Sequence, residues 1–400
     1  MRAVVALIAL FALGCDPLDG ITVVGEDPSD APIAGLEAPW DARFLEGDPI
    51  FDASFRESQG LGPLYIRFAC SSCHADDARG PGVVRRMALV DEDGVPLTDQ
   101  SALAYGPVIR PQLAAGATTA IVPPEDRPVW VASRLPPAVF GRGYLEAIED
   151  AEIERVAAEQ AATDDGVHGR IHRVSWQSEA TPDRGGFHDY GPGREGLIGR
   201  FGLKARIATI DEFTADAYQG DMGITSPLRP TELPNPDGVS DDARVGVDID
   251  IATVRAAADY VRLLAIPRRE PPPDGGPELF ASIGCATCHV PTLRTRADYP
   301  IPPLAGIDAP VYTDLLLHDM GPDLADAAGD LDAGPRDWRT APLMGLRHQS
   351  AYLHDGRALT VEDAIVMHGG EASEARGSVE AFEALSGAER RLLLDFVNGL

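Results

Sequence analysis

The sequence predicts a mainly α-helical protein with two related halves and long irregular loops. A short Cys-x-x-Cys-His motif occurs twice, once near residue 70 and once near residue 285. Several segments, among them the C-terminal one, repeat apolar residues at helical spacing. The 41 glycines and 34 prolines among 400 residues indicate many loops, but not enough to indicate a disordered chain.

The N-terminus resembles an export signal. Arg2 precedes the apolar stretch AVVALIALFAL, which is too short to span a bilayer as a stable helix. The next residues end in ALGC, which resembles a bacterial lipobox although Ala12 stands where such boxes favour Leu. We expect residues 1–15 to be a signal whose Cys15 becomes lipidated; ordinary cleavage near Gly14 is the alternative. Residues 16–45 then form a flexible tether, and the protein is exported to the periplasm as a membrane-anchored lipoprotein.

The charge of the chain limits its partners. A formal net charge of −29 argues against nucleic acid, whose phosphates require a basic surface. Beyond the signal, the sequence offers no apolar stretch long enough to cross a membrane. We therefore expect membrane contact only through the lipid anchor.

The remaining cysteines all belong to the two motifs: Cys70, Cys73, Cys285 and Cys288. Three chemistries use such pairs. A disulfide oxidoreductase needs one pair and no histidine, and a structural zinc site rarely joins pairs so far apart. The third is covalent attachment of c-type haem, in which the cysteines form thioethers and the adjacent histidine ligates the iron. Two complete motifs in an exported chain favour two c-type haems, with His74 and His289 as proximal ligands.

Helical patterns surround the motifs. A helix is expected in GPELFASIG before the second motif, in DIATVRAAADYVRLLAIP, and in SGAERRLLLDFVNGL, where Ser386 and Glu389 form a capping box. A helix interrupted by Gly-Pro is expected in FRESQGLGPLYIRF before the first motif. A helix entering the motif and a terminal helix closing over it is the arrangement of small cytochromes c. The sequence thus predicts two cytochrome c-like haem domains.

The linker RREPPPDGG places the domain boundary. We expect an N-terminal haem domain with an insertion at 46–267 and a C-terminal haem domain at 268–400. An approximate internal repeat supports two related halves. It pairs one set of four residues with another: Arg134, Pro137, Gly141 and Glu146 with Arg339, Pro342, Gly345 and Glu362.

Segments from about residue 50 to the C-terminus resemble the di-haem oxidoreductases, relatives of the bacterial di-haem cytochrome c peroxidases that are sometimes labelled thiol oxidoreductases. The segments that carry the resemblance are GLGPLYIRFACSSCH, GRGYLEAIED, GRFGLKA, GDMGITSPL, GCATCHVPTL, YTDLLLHDMGPDLAD, WRTAPLMGL, YLHDGRALTVEDAI and HGGEA. Leu203 and Met344 depart from the family, which usually has Trp at both positions. Met344 is either a sulfur ligand or a core residue.

The sixth ligand of each iron decides its chemistry: Met raises the potential, and an open position binds peroxide. For the C-terminal haem we expect Met320, or His318 close by, as the ligand; otherwise His318 is a hydrogen-bonded core residue. The N-terminal haem is either open or closed by a distant residue such as Met222. A distant ligand that can leave would form a gate.

The resemblance implies further site residues. Glu146 resembles the acidic residue of the peroxidases and would move a proton during peroxide cleavage, unless it is a surface helix carboxylate. Arg200 and Lys204 are cations suited to haem propionates, unless they form a solvated basic turn.

The sequence therefore predicts an oxidoreductase of the cytochrome c peroxidase type. Electrons would enter through one haem from a small donor protein, a cytochrome or a cupredoxin, and reduce peroxide at the other haem. The alternatives are a di-haem electron carrier without a substrate and an oxidase or oxygenase acting on an organic or protein substrate. Some relatives hold calcium between their domains, and a calcium ion stays an open alternative here.

Overall fold

The computed structural model describes residues 31–181, 186–240 and 246–400. Residues 1–30, which include the predicted signal, Cys15 and half of the predicted tether, lie outside the described residues. The prediction of a flexible tether is wrong for residues 31–45, because the Ile33 N–H donates to the Leu263 carbonyl at 2.8 Å and a helix begins at Trp40. Across the described ranges there are ten α-helices: α1 Trp40–Phe51, α2 Arg142–Ala147, α3 Asp150–Ala161, α4 Ile210–Met222, α5 Ile251–Leu263, α6 Gly276–Ser282, α7 Cys285–Cys288, α8 Val361–Met367, α9 Arg376–Glu383 and α10 Gly387–Asn398. None of the helices in this part of the chain is long and apolar enough to cross a membrane.

The strands are short and form only antiparallel pairs within the described residues. The pairs are β1 Leu64–Tyr65 with β3 Gln112–Leu113, β2 Val84–Leu89 with β4 Val129–Arg134, β5 Arg173–Val174 with β6 Leu197–Ile198, β7 Leu293–Arg294 with β8 Asp308–Ala309, and β9 Leu317–Asp319 with β10 Asp337–Arg339. Isolated two-stranded pairs cannot bury a large apolar face. Helices joined by irregular segments therefore build the fold, and the prediction of a mainly α-helical chain is confirmed.

Three predicted helices form where the sequence places them. α5 begins after Asp250, whose carboxylate accepts a hydrogen bond from the Thr253 N–H at 2.8 Å. α10 begins with the expected capping box, in which the Ser386 N–H donates to Glu389 at 2.9 Å. α6 has Pro277 in its first turn, where a missing N–H costs nothing.

The prediction of a helix at residues 55–68 is wrong. The structure has a three-residue 3₁₀ turn, Glu57–Gln59, followed by the short strand β1. Gly60 and Gly62 have φ angles of 99° and 111°, outside the helical region, and the strand then pairs with residues far along the chain. Glycine conformation and a long-range pairing thus override the local apolar pattern.

Each half contains a pair of packed helices. α1 packs on α5 so closely that a Cβ on Gly47 would lie 2.3 Å from the Ala256 carbonyl oxygen. α6 packs on α10, where Phe280 and Phe396 make an edge-to-face contact at 5.5 Å. A motif follows the first helix of each pair along the chain: the second motif follows α6, which the sequence predicts, and the first follows α1, which it does not predict. The boundary at residue 268 stays a prediction.

The two copies of the internal repeat contact each other reciprocally. A Cβ on Gly141 would lie 2.8 Å from the Met344 sulfur, and one on Gly345 would lie 2.9 Å from Phe140. The two glycine N–H groups donate to carbonyls that follow α5 and α10, respectively. Gly141 donates to the Leu264 carbonyl at 3.0 Å, and Gly345 donates to the Leu400 carbonyl at 2.8 Å. The two halves therefore meet at matching positions of the repeat.

Candidate functional site

Both Cys-x-x-Cys-His motifs fold into the same turn. The His74 N–H donates to the Cys70 carbonyl at 3.0 Å, and the His289 N–H donates to the Cys285 carbonyl at 3.0 Å. The second turn is the helix α7. This i to i−4 bond closes one helical turn, so each motif places two thiols and an imidazole within a single turn of backbone.

The four thiols are free and poorly suited to disulfide exchange. Burial raises the pKa of Cys70 and of Cys285 to about 12, and it raises the pKa of Cys73 to about 11. Burial likewise raises the pKa of Cys288. Thiol oxidoreductases need a thiol whose pKa is lowered, because the thiolate is the nucleophile. The electrostatics of both motifs thus argue against thiol chemistry.

The first motif opens onto a cavity with largely apolar walls. Cys70, Cys73 and His74 line it, together with Met222 at the end of α4. The rest of the lining is apolar or basic apart from a few residues: Phe51, Arg67, Ala69, Pro137, Ala138, Val139, Arg142, Phe201, Gly202, Ile210, Phe213, Thr214, Ala217, Asp221, Ala257, Val261 and Arg339. The structure therefore brings Met222 to the first motif.

Backbone hydrogen bonds hold the end of α4 beside this motif. The Gly62 N–H donates to the Met222 carbonyl at 3.0 Å, and the Ile66 N–H donates to the Asp221 carbonyl at 2.7 Å. Both donors belong to the segment that leads into Cys70. The position of Met222 is thus fixed by the same chain segment that positions the motif.

Both motif histidines are neutral at pH 7. Burial lowers the pKa of His74 to about 4, against a smaller opposing effect of the Pro137 carbonyl; its Nδ1 makes no well-aligned hydrogen bond to the described residues. Burial, aided by nearby His368, also lowers the pKa of His289 to about 4. The His289 Nδ1 lies 3.1 Å from the Tyr312 carbonyl oxygen. An Nδ1–H bound to a carbonyl leaves Nε2 as the free lone pair that ligates metals.

His318 lies between two carboxylates near the second motif. Its Nε2 is 2.8 Å from Asp314 and its Nδ1 is 2.8 Å from Glu374, while the Cys288 sulfur lies 3.8 Å from Nδ1. Burial alone would lower the pKa of His318, but Asp314, Cys288 and Glu374 outweigh it and raise the pKa to about 12. Both ring nitrogens are occupied. His318 is thus a buried, hydrogen-bonded histidine in this structure, and its role as an iron ligand stays a prediction.

Cys288, Asp314 and His318 also bring ligand atoms within 4.8 Å of one another, a spacing that could hold a metal ion. The Gln160 side-chain amide donates a hydrogen bond to the Asp314 carboxylate at 2.9 Å. Cys288 is the one cysteine that this cluster shares with the proposed haem attachment. Both ring nitrogens of His318 already contact carboxylates. It does not join the two cysteine pairs, as the zinc alternative requires.

The two other candidate methionines lie in different surroundings. Met320 directly follows β9, is half-buried, and donates its backbone N–H to the Arg336 carbonyl at 3.1 Å. Its role as a ligand stays a prediction. Met344 is only 2% exposed and packs in the largest apolar cluster against Gly141. Met344 is therefore a core residue.

Glu146 is a buried ion-pair partner in α2. Its carboxylate accepts from Arg262 Nε at 2.6 Å, from the Tyr299 hydroxyl at 2.8 Å and from the Ile210 N–H at 2.8 Å. Burial raises the pKa of Glu146, but the Arg262 charge and these hydrogen bonds outweigh it and hold the pKa well below its usual range. The surface-carboxylate alternative is wrong. Proton transfer by Glu146 stays a prediction that requires these bonds to break.

The two predicted propionate cations bind protein groups. Arg200 pairs with Asp150 and donates to the Ile148 carbonyl at 3.0 Å. Lys204 is fully buried, donates to the carbonyls of Gly334, Pro335 and Asp337, and lies 3.7 Å from the centroid of the Trp338 ring. The solvated-turn alternative is wrong for Lys204. Neither cation is among the described residues that line the cavity at the first motif.

Three arginines line this cavity, and none of them is among the site residues that the sequence predicts. Arg142 and Arg339 are 8% and 6% exposed, and Arg67 lies at the same wall. Arg142 occurs within GRGYLEAIED and Arg339 within WRTAPLMGL, both segments that carry the family resemblance. The sequence gives no sign that α2 and β10 meet at one cavity, so no local signal singles these two arginines out.

The residues present fit a covalently attached haem. Two thiols, a neutral imidazole, an apolar wall and buried guanidinium groups supply partners for the vinyl groups, the iron, the porphyrin face and the propionates, respectively. A mainly α-helical chain with two such turns defines a di-haem protein.

The chain belongs to the di-haem oxidoreductase family. The family model described as "Di-haem oxidoreductase, putative peroxidase" matches residues 124–400. Among solved structures, hydrazine synthase from Kuenenia stuttgartiensis, studied under xenon pressure, aligns over 100% of each chain with 14% identity and a TM-score of 0.35. A search of curated proteins found no match.

Proposed function

We propose that this protein is an exported di-haem c-type cytochrome that reduces peroxide at one haem with electrons that enter through the other. The observation that carries the proposal is the hydrogen bond that both motifs share, in which the histidine N–H donates at 3.0 Å to the carbonyl of the first cysteine. The family and the neutral state of both histidines support the same assignment.

The chain's own residues supply the attachment points. Cys70 and Cys73 would hold one haem and His74 would ligate its iron; Cys285, Cys288 and His289 would do the same in the second half. The haem iron, when bound, supplies electron transfer and a position for peroxide. The helix pairs α1–α5 and α6–α10 support the proposal that each haem lies in a cytochrome c-like domain, with the domains meeting near residue 268.

Met222 is the proposed gate of the first site. It lines the cavity beside His74 and is 3% exposed, which supports a closed site rather than an open one. Met320 is the proposed sixth ligand of the second haem. A small cytochrome or cupredoxin is the proposed electron donor, and a lipid on Cys15 is the proposed anchor in the periplasm.

Haem attachment is tested first. The protein is produced with a c-type maturation system, and the intact mass is compared with those of Cys70→Ser/Cys73→Ser and Cys285→Ser/Cys288→Ser. We expect two covalent haems in the parent and one in each variant. A parent without covalent haem would overturn the proposal.

Turnover is tested next with peroxide and a reduced small cytochrome as donor. We expect peroxide-dependent oxidation of the donor and a high-spin haem in the EPR spectrum of the half-reduced protein. Two low-spin haems in both the oxidised and the half-reduced state, without turnover, would instead indicate an electron carrier. Turnover of an organic or protein substrate without peroxide reduction would indicate an oxidase or oxygenase.

A further inference from the structure

We propose that Arg142 and Arg339 form a two-arginine clamp that binds the paired carboxylates of the haem attached at the first motif. This inference rests on the proposed covalent haem and assigns its propionates to residues from both halves of the chain. Arg142 lies in α2 and Arg339 at the end of β10, and both line the cavity that contains His74. The clamp replaces the propionate role that the sequence suggests for Arg200 and Lys204.

The two guanidinium groups are buried and make no ion pair or hydrogen bond to a carboxylate among the described residues, although the charge of Asp314 raises the pKa of Arg339 against the effect of burial. Arg142 Nε donates to the Ala138 carbonyl at 2.7 Å, and Arg339 donates to the Gly202 carbonyl at 3.1 Å and the Thr340 carbonyl at 2.9 Å. These acceptors are neutral dipoles. Burying a cation against dipoles alone is costly, so the site is stabilised when an anion binds.

The surrounding charges reinforce this demand for an anion. Arg79 lies near Arg142, and its Nε and Nη2 have no hydrogen-bond partner among the described residues. Burial, with a smaller effect of the Arg339 and Arg79 charges, lowers the pKa of Arg142 to about 9. The cavity lining contains three arginines but only one carboxyl group among the described residues, that of Asp221. A locally cationic cavity in a chain of net charge −29 indicates an anionic ligand.

Geometry and chemistry point to the propionates rather than to a free anion. The arginines share the cavity with both cysteines and the histidine of the first motif, so a haem attached there carries its own two carboxylates into it. Guanidinium groups bind carboxylates through paired N–H donors. Because one arginine comes from each half, the bound haem would also hold the halves together.

The clamp is tested on the haem-loaded protein with Arg142→Gln, Arg339→Gln, Arg142→Lys and the control Arg200→Gln. Intact mass first establishes that each variant carries two covalent haems, which tests the proposed function separately. Reduction adds negative charge at the haem, so a nearby cation favours the reduced state. We expect each clamp Gln variant to lower one midpoint potential and leave the other unchanged, while Arg142→Lys stays near the parent.

Three results would overturn the clamp. In the first, both Gln variants keep two haems and unchanged potentials. In the second, Arg200→Gln alone shifts a potential. In the third, added acetate perturbs the spectrum of the parent but not of the Gln variants, with all potentials unchanged; the arginines would then bind a free anion. Circular dichroism and thermal unfolding of the Lys variant separate loss of charge from loss of fold.

Discussion

Met222 lines the same cavity as His74, although α4 and the first motif are far apart in the sequence. The Gly62 N–H donates to the Met222 carbonyl at 3.0 Å at the end of α4. The position of the Met222 side chain is therefore set by the fold rather than by a flexible loop. A methionine fixed beside an imidazole at an apolar cavity has the elements of a His/Met iron site.

Met222→Leu tests that relationship. Leucine preserves volume, so we expect a stability loss below about 1.5 kcal/mol. Loss of the sulfur should convert one haem from low-spin to high-spin and lower its potential, as measured by EPR and spectroelectrochemistry. Met344→Leu is the matched control, because Met344 is a buried core methionine packed on Gly141. An unchanged spectrum in Met222→Leu would exclude Met222 as a ligand.

Glu146→Gln distinguishes a structural from a catalytic carboxylate. The change removes the charge of Glu146, but Arg262 keeps Asp211 and Asp259 as partners, so we expect a loss of about 1–3 kcal/mol in the free energy of unfolding, measured with urea. Glu159→Gln, which removes an exposed partner of Arg155, should cost at most about 1 kcal/mol. A fully stable Glu146→Gln protein that keeps both haems but loses peroxide turnover would favour the catalytic role instead.

Asp330 provides a pH-dependent link between the halves, because it pairs with Arg86 in β2 and Arg134 in β4. Burial raises the pKa of Asp330, but the two arginines outweigh it and lower the pKa to about 2. A carboxyl group with a lowered pKa contributes stability that is complete above its unfolded pKa of about 4 and is lost as the pH falls toward 2.

Asp330→Asn should therefore cost about 3 kcal/mol at pH 7 and flatten the decline of stability between pH 4 and pH 2. Urea unfolding at a series of pH values measures both effects. Asp308→Asn, which breaks an exposed pair with Arg294, is the control and should leave the pH profile unchanged. The same acid decline in Asp330→Asn and the parent would contradict the prediction.

Gly345→Ala tests the contact between the two repeat copies. Gly345 has a φ of 61°, and an added Cβ would lie 2.9 Å from Phe140 and from Pro267. We expect a loss of about 2–5 kcal/mol from backbone strain and overpacking together. Gly94 has a φ of 81° but open space around it, so Gly94→Ala should cost only about 1–2 kcal/mol. Equal thermal destabilisation of the two variants would show that the halves do not pack tightly at Gly345.

Local features of the sequence predict the parts of the fold that depend on near neighbours. The capping box of Ser386 and Glu389 and the Asp250 cap define α10 and α5, because each involves residues within one helical turn. The turn at the first motif is local in the same sense, because its closing hydrogen bond joins His74 to Cys70. The prediction of a helix at 55–68 is wrong because Gly60, Gly62 and pairing with a distant strand determine the backbone there.

The sequence by itself determined that this chain carries two Cys-x-x-Cys-His turns in a mainly helical protein of the di-haem oxidoreductase type. Only the tertiary structure decided that Met222 reaches the first motif, that Glu146 pairs with Arg262, and that Arg142 meets Arg339 at one cavity. These relationships join residues far apart in the chain, and periodicity reports only on the few residues around each position. Long-range packing therefore selects the side chains and charges around the motifs.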